Sequence, residues 1–164
     1  MPRRQHAIFN RIRPYHIVSK SARGRTIFRD DEDRARFIVQ LYASNVGKPG
    51  VNMFRRNIDE IAQALLEGKH ISEKAIVREH KPLVDLFSFF LGRDQYNLGL
   101  VPHSTGVLSR FMQKLNIGYA KYFNAKYKLK GTLMQDRFKG KFVRTPEELG
   151  TLIEYINIVT ILLP

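Results

Sequence analysis

Hydrophobic residues alternate with polar ones in some stretches and recur every three or four residues in others, and the change of rhythm divides the chain into strands and helices. Tyr15-His16-Ile17-Val18-Ser19-Lys20 is β-branched and aromatic, lies between Pro14 and the turn-forming Ser21-Ala22-Arg23-Gly24, and reads as the first strand. After Ile27-Phe28, the acids Asp30, Asp31, Glu32 and Asp33 head a run that places Phe37, Ile38, Leu41 and Tyr42 on one helical face. Negative charge there suits the positive end of a helix dipole, so capping accounts for the acid cluster without a metal. Gly47-Lys48-Pro49-Gly50 breaks the pattern. A small helical insertion is expected over about 46–80. Its first helix carries Ile58, Ile61, Ala62, Leu65 and Leu66, with Asn57 and Glu60 as a capping pair and Gly68 at its close. A second short helix is expected from Ser72 to about His80, before Pro82.

Leu83–Leu91 and Gln95–Val101 read as two strands joined by Gly92-Arg93-Asp94, a connection short enough to force an antiparallel hairpin. Phe87, Phe89 and Leu91 share a face with Asp85, and Val84, Leu86 and Phe90 share the other, so the hairpin is expected in the interior of its sheet. On the second strand Gln95 and Asn97 project from one side, and Tyr96, Leu98 and Leu100 from the other. Ser104–Asn124 is the longest helical pattern, with Leu108, Phe111, Met112, Leu115, Tyr119, Tyr122 and Phe123 on one stripe. Arg110, Lys114 and Lys121 lie opposite that stripe, and Lys126, Lys128 and Lys130 follow. Gly131 to Val143 suggests short extended pieces in which Arg137, Lys139 and Lys141 interleave with Phe138 and Phe142. Thr145-Pro146-Glu147-Glu148 starts the last helix. Leu149, Leu152, Ile153 and Ile156 form its apolar stripe, and Tyr155 sits at the edge, where a phenol packs its ring and presents its hydroxyl to a cleft.

A chain of 164 residues is long enough to bury one core, and a single domain over 1–164 is expected. The net charge of +13 changes the picture more. From Met1 to Arg29, and again from Gln95 to Gln135, every formal charge is a Lys or Arg. Acid-free stretches of this length fit a polyanion better than a merely solvated face, and nucleic acid is the expected partner. Residues 1–13, with Arg3, Arg4, Arg11 and Arg13, read as a basic arm or the lead into a strand, and equally as a disordered tail. A helix with a buried stripe and cations opposite can lie along a phosphate backbone. Cations alternating with rings suit a strand that offers charge on one side and packs on the other. With no cysteine, disulfides, thiolate chemistry and Cys-rich zinc sites are excluded. His16 reads as a satisfied core residue, and His70 and His80 as surface residues. No apolar run reaches the ~18 residues that span a bilayer, and no apolar signal core follows the Arg-rich start. No membrane partner and a cytoplasmic location are therefore expected.

Taken in order, Tyr15-His16-Ile17-Val18, the turn into Ile27-Phe28-Arg29-Asp30-Asp31-Glu32-Asp33, Tyr119-Ala120-Lys121-Tyr122-Phe123-Asn124, the segment from Gly131 to Lys139, and Glu154-Tyr155-Ile156 resemble the single-tyrosine HUH transposases, especially the REP-associated tyrosine transposases. The resemblance covers nearly all of the chain outside the insertion. It implies an α/β (α+β) fold, a ferredoxin-like or RRM-like antiparallel sheet with helices packed on it. It further implies a homodimer that recognises hairpins in single-stranded DNA and cuts beside them. In such enzymes a tyrosine on the last helix attacks a DNA phosphate, leaving a 5′-phosphotyrosine and a free 3′-hydroxyl, and two histidines flanking one hydrophobic residue hold Mg or Mn. A phenol with a pKa near ~10 is a weak nucleophile at neutral pH, and a Lewis acid stabilises the charge that develops on the phosphate. By position the nucleophile falls on Tyr155 and the histidine pair on Gln95 and Asn97, with Tyr96 between them. Neither imidazole is present, and Val159-Thr160-Ile161 stands where the family often reads Asn-Pro-Val. Amide oxygens ligate hard cations, but two of them replace two imidazoles poorly for Mg or Mn. The expected function is therefore binding of single-stranded or hairpin DNA, with tyrosine-dependent cleavage weakened or lost and no cofactor. An active transposase would need a divalent metal held by Gln95, Asn97 and Asp94 or His16. An RNA-binding module would use the same rings and cations.

Overall fold

The computed structural model describes residues 13–50, 57–135 and 137–162, with side chains through Ile156. The basic arm expected over 1–13 lies, apart from Arg13, outside the described residues. Strand β1 spans Tyr15–Lys20, and helix α1 spans Asp31–Val46. Asp30 caps α1, its Oδ1 accepting the Asp33 N–H at 2.8 Å, and three further acids occupy the first turn as the dipole favours.

The insertion differs from its expected form. It consists of β2 (Gly47–Pro49), α2 (Ile58–Leu66) and β3 (Ile76–Arg78), and β2 and β3 pair as an antiparallel ribbon. The second helix expected from Ser72 to His80 is replaced by β3. Ile76 and Val77 are β-branched, and the ribbon closes because residue 47 is glycine: a Cβ there would lie 2.0 Å from the Val77 carbonyl oxygen. Asn57 makes no side-chain cap bond to α2. Its backbone carbonyl accepts the Ile61 N–H at 3.2 Å instead.

Strands β4 (Val84–Leu91) and β5 (Gln95–Pro102) form the expected antiparallel hairpin. Helix α3 runs from Val107 to Tyr127 and ends at Lys128 in the left-handed region, φ 52. Strand β6 (Lys139–Phe142) and helix α4 (Pro146–Leu162) complete the fold. The main sheet has the order β4-β5-β1-β6, with antiparallel neighbours throughout. Only β5 of the hairpin is interior; β4 is an edge strand, which corrects the expectation that the whole hairpin is central. A bulge between Leu86 and Ser88 also shifts the alternation. Val84, Leu86, Phe89 and Leu91 turn to the main core, Phe90 turns to the opposite side, and Phe87 is 38% exposed. Asn45 at the end of α1 acts as an extra rung at the head of β4. Its Oδ1 accepts the N–H groups of Leu83 and Val84 at 2.8 and 2.9 Å, and its Nδ2 donates to the Val84 carbonyl at 2.9 Å.

Without the insertion the order is βαββαβ followed by α4, and with this strand order the first six elements form the ferredoxin-like arrangement. One face of the sheet carries Ile17, Tyr96, Leu98 and Leu100, fully buried against Phe37 and Leu41 of α1 and Phe111, Leu115, Tyr119 and Phe123 of α3. Burial of each such side chain contributes about 1.5–3 kcal/mol. A second cluster joins the far side of α1 to α2 and β3 through Val39, Val46, Ile58, Ile61 and Ile76. Among the described residues no helix is long and apolar enough to cross a membrane.

Candidate nucleic-acid interface

Because Ile17, Tyr96, Leu98 and Leu100 point into the core, alternation turns His16, Val18, Gln95 and Asn97 to the other face of the sheet. Helix α4 covers that face in part. It starts with Thr145 Oγ1 accepting the Glu148 N–H at 3.1 Å and Glu148 Oε2 accepting the Arg144 N–H at 2.8 Å. Its Leu149, Leu152 and Ile156 pack on Phe90 and Val143, so α4 lies on the β4–β5 side, while β6 is exposed along its whole length.

At the boundary of the covered and open halves, the Nε2 of His16 is 2.9 Å from the Oδ1 of Asn97. The two are diagonal neighbours, since His16 is opposite Gly99 and Asn97 is opposite Val18. A carbonyl oxygen only accepts, so in this orientation Nε2 carries the proton. Tyr155 brings its ring edge toward His16, with centroids 6.2 Å apart, and is 49% exposed. Lys141 stands directly opposite His16 across the β1–β6 pairing. His16, Lys141, Glu148, Thr151, Leu152 and Tyr155 border a cleft of about 300 Å³.

Gln95 and Asn97 thus do share a side, but they do not converge. Gln95 is opposite Lys20, two residues farther from His16 than Asn97 is. The member of the cluster that sequence placed only in part is His16, read as a core residue and named beside Gln95 and Asn97 only for an active metal site. The signal was present in the alternation of Tyr15-His16-Ile17-Val18, in which an inward Ile17 requires an outward His16. These donors do not fit Mg or Mn. They amount to one imidazole and one amide, already hydrogen-bonded to each other, with a lysine opposite. The bordering carboxylate, Glu148, is turned to the start of its own helix. Hard cations take oxygen ligands, carboxylates above all, and among the described residues no group of three or more His, Asp or Glu is placed to hold a metal ion.

The expected DNA-binding residues fall into three sets. Lys139 and Lys141 lie on the Tyr155 side of β6, opposite Val18 and His16, with Arg137 exposed just before the strand. None of the three has a carboxylate partner among the described residues. Arg110, Lys114 and Lys121 belong to α3, across the sheet from Tyr155, and Lys128 and Lys130 follow it as exposed residues. Lys114 is half-buried, its Nζ 3.3 Å from His80 Nε2. Desolvation, helped by nearby Arg110, lowers its pKa.

Lys126, unlike Lys139 and Lys141, is engaged by carboxylates of its own fold. Its Nζ lies 2.7 Å from Asp30, 2.9 Å from Asp33 and 3.2 Å from Glu32. The Tyr122 and Tyr127 hydroxyls donate to Asp33 at 3.0 and 2.8 Å. Desolvation alone would lower the Lys126 pKa, but the hydrogen bonds to Asp30, Asp33, Tyr122 and Glu32 outweigh it and raise it. Burial and the bond to Asp33 push Tyr127 up to about 12. The acids that read from sequence as helix capping therefore also clasp the end of α3.

No family model matches the sequence, and no curated protein does. Among solved structures the chain is similar to a REP-associated tyrosine transposase bound to a REP hairpin, with a TM-score of 0.53 and 8% identity over 89% of this chain. The match spans 65% of that chain, slightly less than two thirds of its length. At this identity the likeness is one of fold, and the mixed α/β architecture expected from sequence is the one present.

Proposed function

We propose that the protein binds hairpin or single-stranded DNA on the open half of the sheet beside Tyr155, and that tyrosine-dependent strand cleavage is weak or absent. The observation that carries this is the unequal treatment of charge on the Tyr155 side. Lys139 and Lys141 stand there without carboxylate partners among the described residues, next to a cleft bordered by Tyr155 and His16. Unpaired cations in register on a strand suit a phosphate backbone. The likeness in fold to a transposase bound to a hairpin supports DNA as the polymer. The RNA-module reading asks for aromatic rings on the central strands to stack unpaired bases. Here Tyr15 and Tyr96 both turn to the main core. Cleavage is placed low because the donors beside Tyr155 do not fit the divalent ion that would stabilise charge on the attacked phosphate.

Fluorescence anisotropy with a hairpin DNA, an unpaired DNA and an RNA of equal length tests the reading. Hairpin DNA is expected to bind tightest, with affinity falling steeply as salt rises. RNA binding equal to hairpin binding refutes it. Incubation of the hairpin with protein and Mn is expected to yield at most a trace of covalent adduct, absent in Tyr155→Phe. Abundant adduct restores the active-transposase reading.

A further inference from the structure

The divalent ion implied by the resemblance and the donors present disagree, and a cation already stands at the place of disagreement. Lys141 is directly opposite His16 in the β1–β6 pairing, on the side that also holds Asn97 and Tyr155, and it borders the same cleft. Directly paired residues in an antiparallel ladder have Cβ atoms about 4.5–5.5 Å apart, so the ammonium on its flexible stem has the whole cleft within reach. It has no carboxylate partner among the described residues. An ammonium is a point charge with three donors, and it meets phosphate without the coordination geometry that a metal demands. His16 and Asn97, by contrast, are engaged with each other at 2.9 Å, and Asn97 is only 3% exposed.

We propose that Lys141 takes the place of the divalent cation: its ammonium meets a DNA phosphate beside Tyr155, while the His16–Asn97 bond fixes the cleft floor and keeps both side chains from a metal. This rests on the DNA-binding reading above. Its consequence is a cleft that DNA occupies without divalent metal.

Two measurements test it separately from that reading. Mn titrated into the protein alone, followed by electron paramagnetic resonance of the free ion, is expected to reveal no bound ion. Bound Mn that is lost in Asn97→Ala or His16→Ala overturns the proposal whatever the DNA does. Hairpin affinity is expected to agree within about twofold in EDTA and in Mg at matched ionic strength. Lys141→Gln is expected to weaken it about five- to tenfold at about 0.1 M salt and to lower the salt slope by about one. Lys74→Gln, on the exposed insertion, controls for the loss of one charge and is expected to change affinity less than about twofold. An affinity that depends on Mg, or equal effects of Lys141→Gln and Lys74→Gln, overturns the role of Lys141 while leaving DNA binding intact. Failure of the unaltered protein to bind any DNA overturns both.

Discussion

Lys126 and Lys141 lie on opposite sides of one sheet and meet opposite surroundings. Lys126 is 17% exposed and touches three carboxylates, one of them the fully buried Asp33. Lys141 is exposed and touches none among the described residues. On the α1–α3 side the charge of Lys126 is neutralised within the fold: the Tyr122 and Tyr127 hydroxyls and the Arg29 N–H also donate to Asp33, and Arg29 stacks over Tyr127 at 4.2 Å. On the α4 side positive charge is left for a partner. A sequence with a net charge of +13 therefore cannot be divided into binding and structural cations by position alone. What separates them is whether a carboxylate reaches them in three dimensions.

The largest effect that would sharpen this contrast is at Lys126. Lys126→Met removes the ammonium from a buried carboxylate and is expected to cost about 3 kcal/mol, measured by chemical denaturation, while Tyr119 and Phe123 keep the α3 packing. A loss below the precision of the fit would mean that Tyr122, Tyr127 and the Arg29 N–H suffice to hold Asp33, and that the two lysines differ less than their surroundings do. The same cluster sets an acid limit. Burial tends to raise the Asp30 pKa, but Lys126, the Asp33 N–H and Tyr127 outweigh burial and lower it. A carboxyl held below its unfolded value stabilises above that value, so this contribution is lost as pH falls below about 4. The stability of Lys126→Met is expected to fall less between pH 5 and pH 3, values spanning the ordinary range of about 4 for aspartate, than that of the unaltered protein.

A smaller effect belongs to the other face. Asn97→Ala leaves the His16 Nε2–H without its acceptor and is expected to cost about 1–2 kcal/mol, read from the same denaturation curves. A neutral result would show that the pair is loosely held, which would weaken its role as a fixed floor for the cleft.

How much of this was legible in the sequence differs between the two faces for physical reasons. Alternation placed Tyr96, Leu98 and Leu100 opposite Gln95 and Asn97, and the apolar stripe of α3 was read correctly, because a single buried face imposes one period on each element. The bulge at Phe87 and the strand at Ile76–Arg78 were not legible: the first inserts a residue into a regular period, and the second depends on Gly47 allowing the partner strand to approach. Tyr155 was placed at a cleft edge by its helical angle. Its neighbours were harder to find, since His16 and Asn97 are 81 positions apart and meet only through the β1–β5 register. The pairing of Lys126 with Asp30 and Asp33 spans a similar gap, across two helices, and no local pattern reports it.

The smallest effect on stability carries the sharpest separation of the two faces. Arg137→Gln with Lys139→Gln alters two exposed side chains that touch no carboxylate among the described residues, and the double variant is expected to stay within about 0.5 kcal/mol of the unaltered protein. Gly140, between Lys139 and Lys141, keeps β6 close to Ile17, and that contact does not involve the substituted residues. Loss of two phosphate contacts should nevertheless weaken hairpin binding at least about tenfold at moderate salt and flatten its salt dependence by about two counterions. Affinity and stability would then respond to different cations, Arg137 and Lys139 on one side and Lys126 on the other. If instead the double variant binds normally and the α3 variant Arg110→Gln with Lys121→Gln does not, DNA lies along the outer side of α3, and the cleft at Tyr155 is no part of the interface.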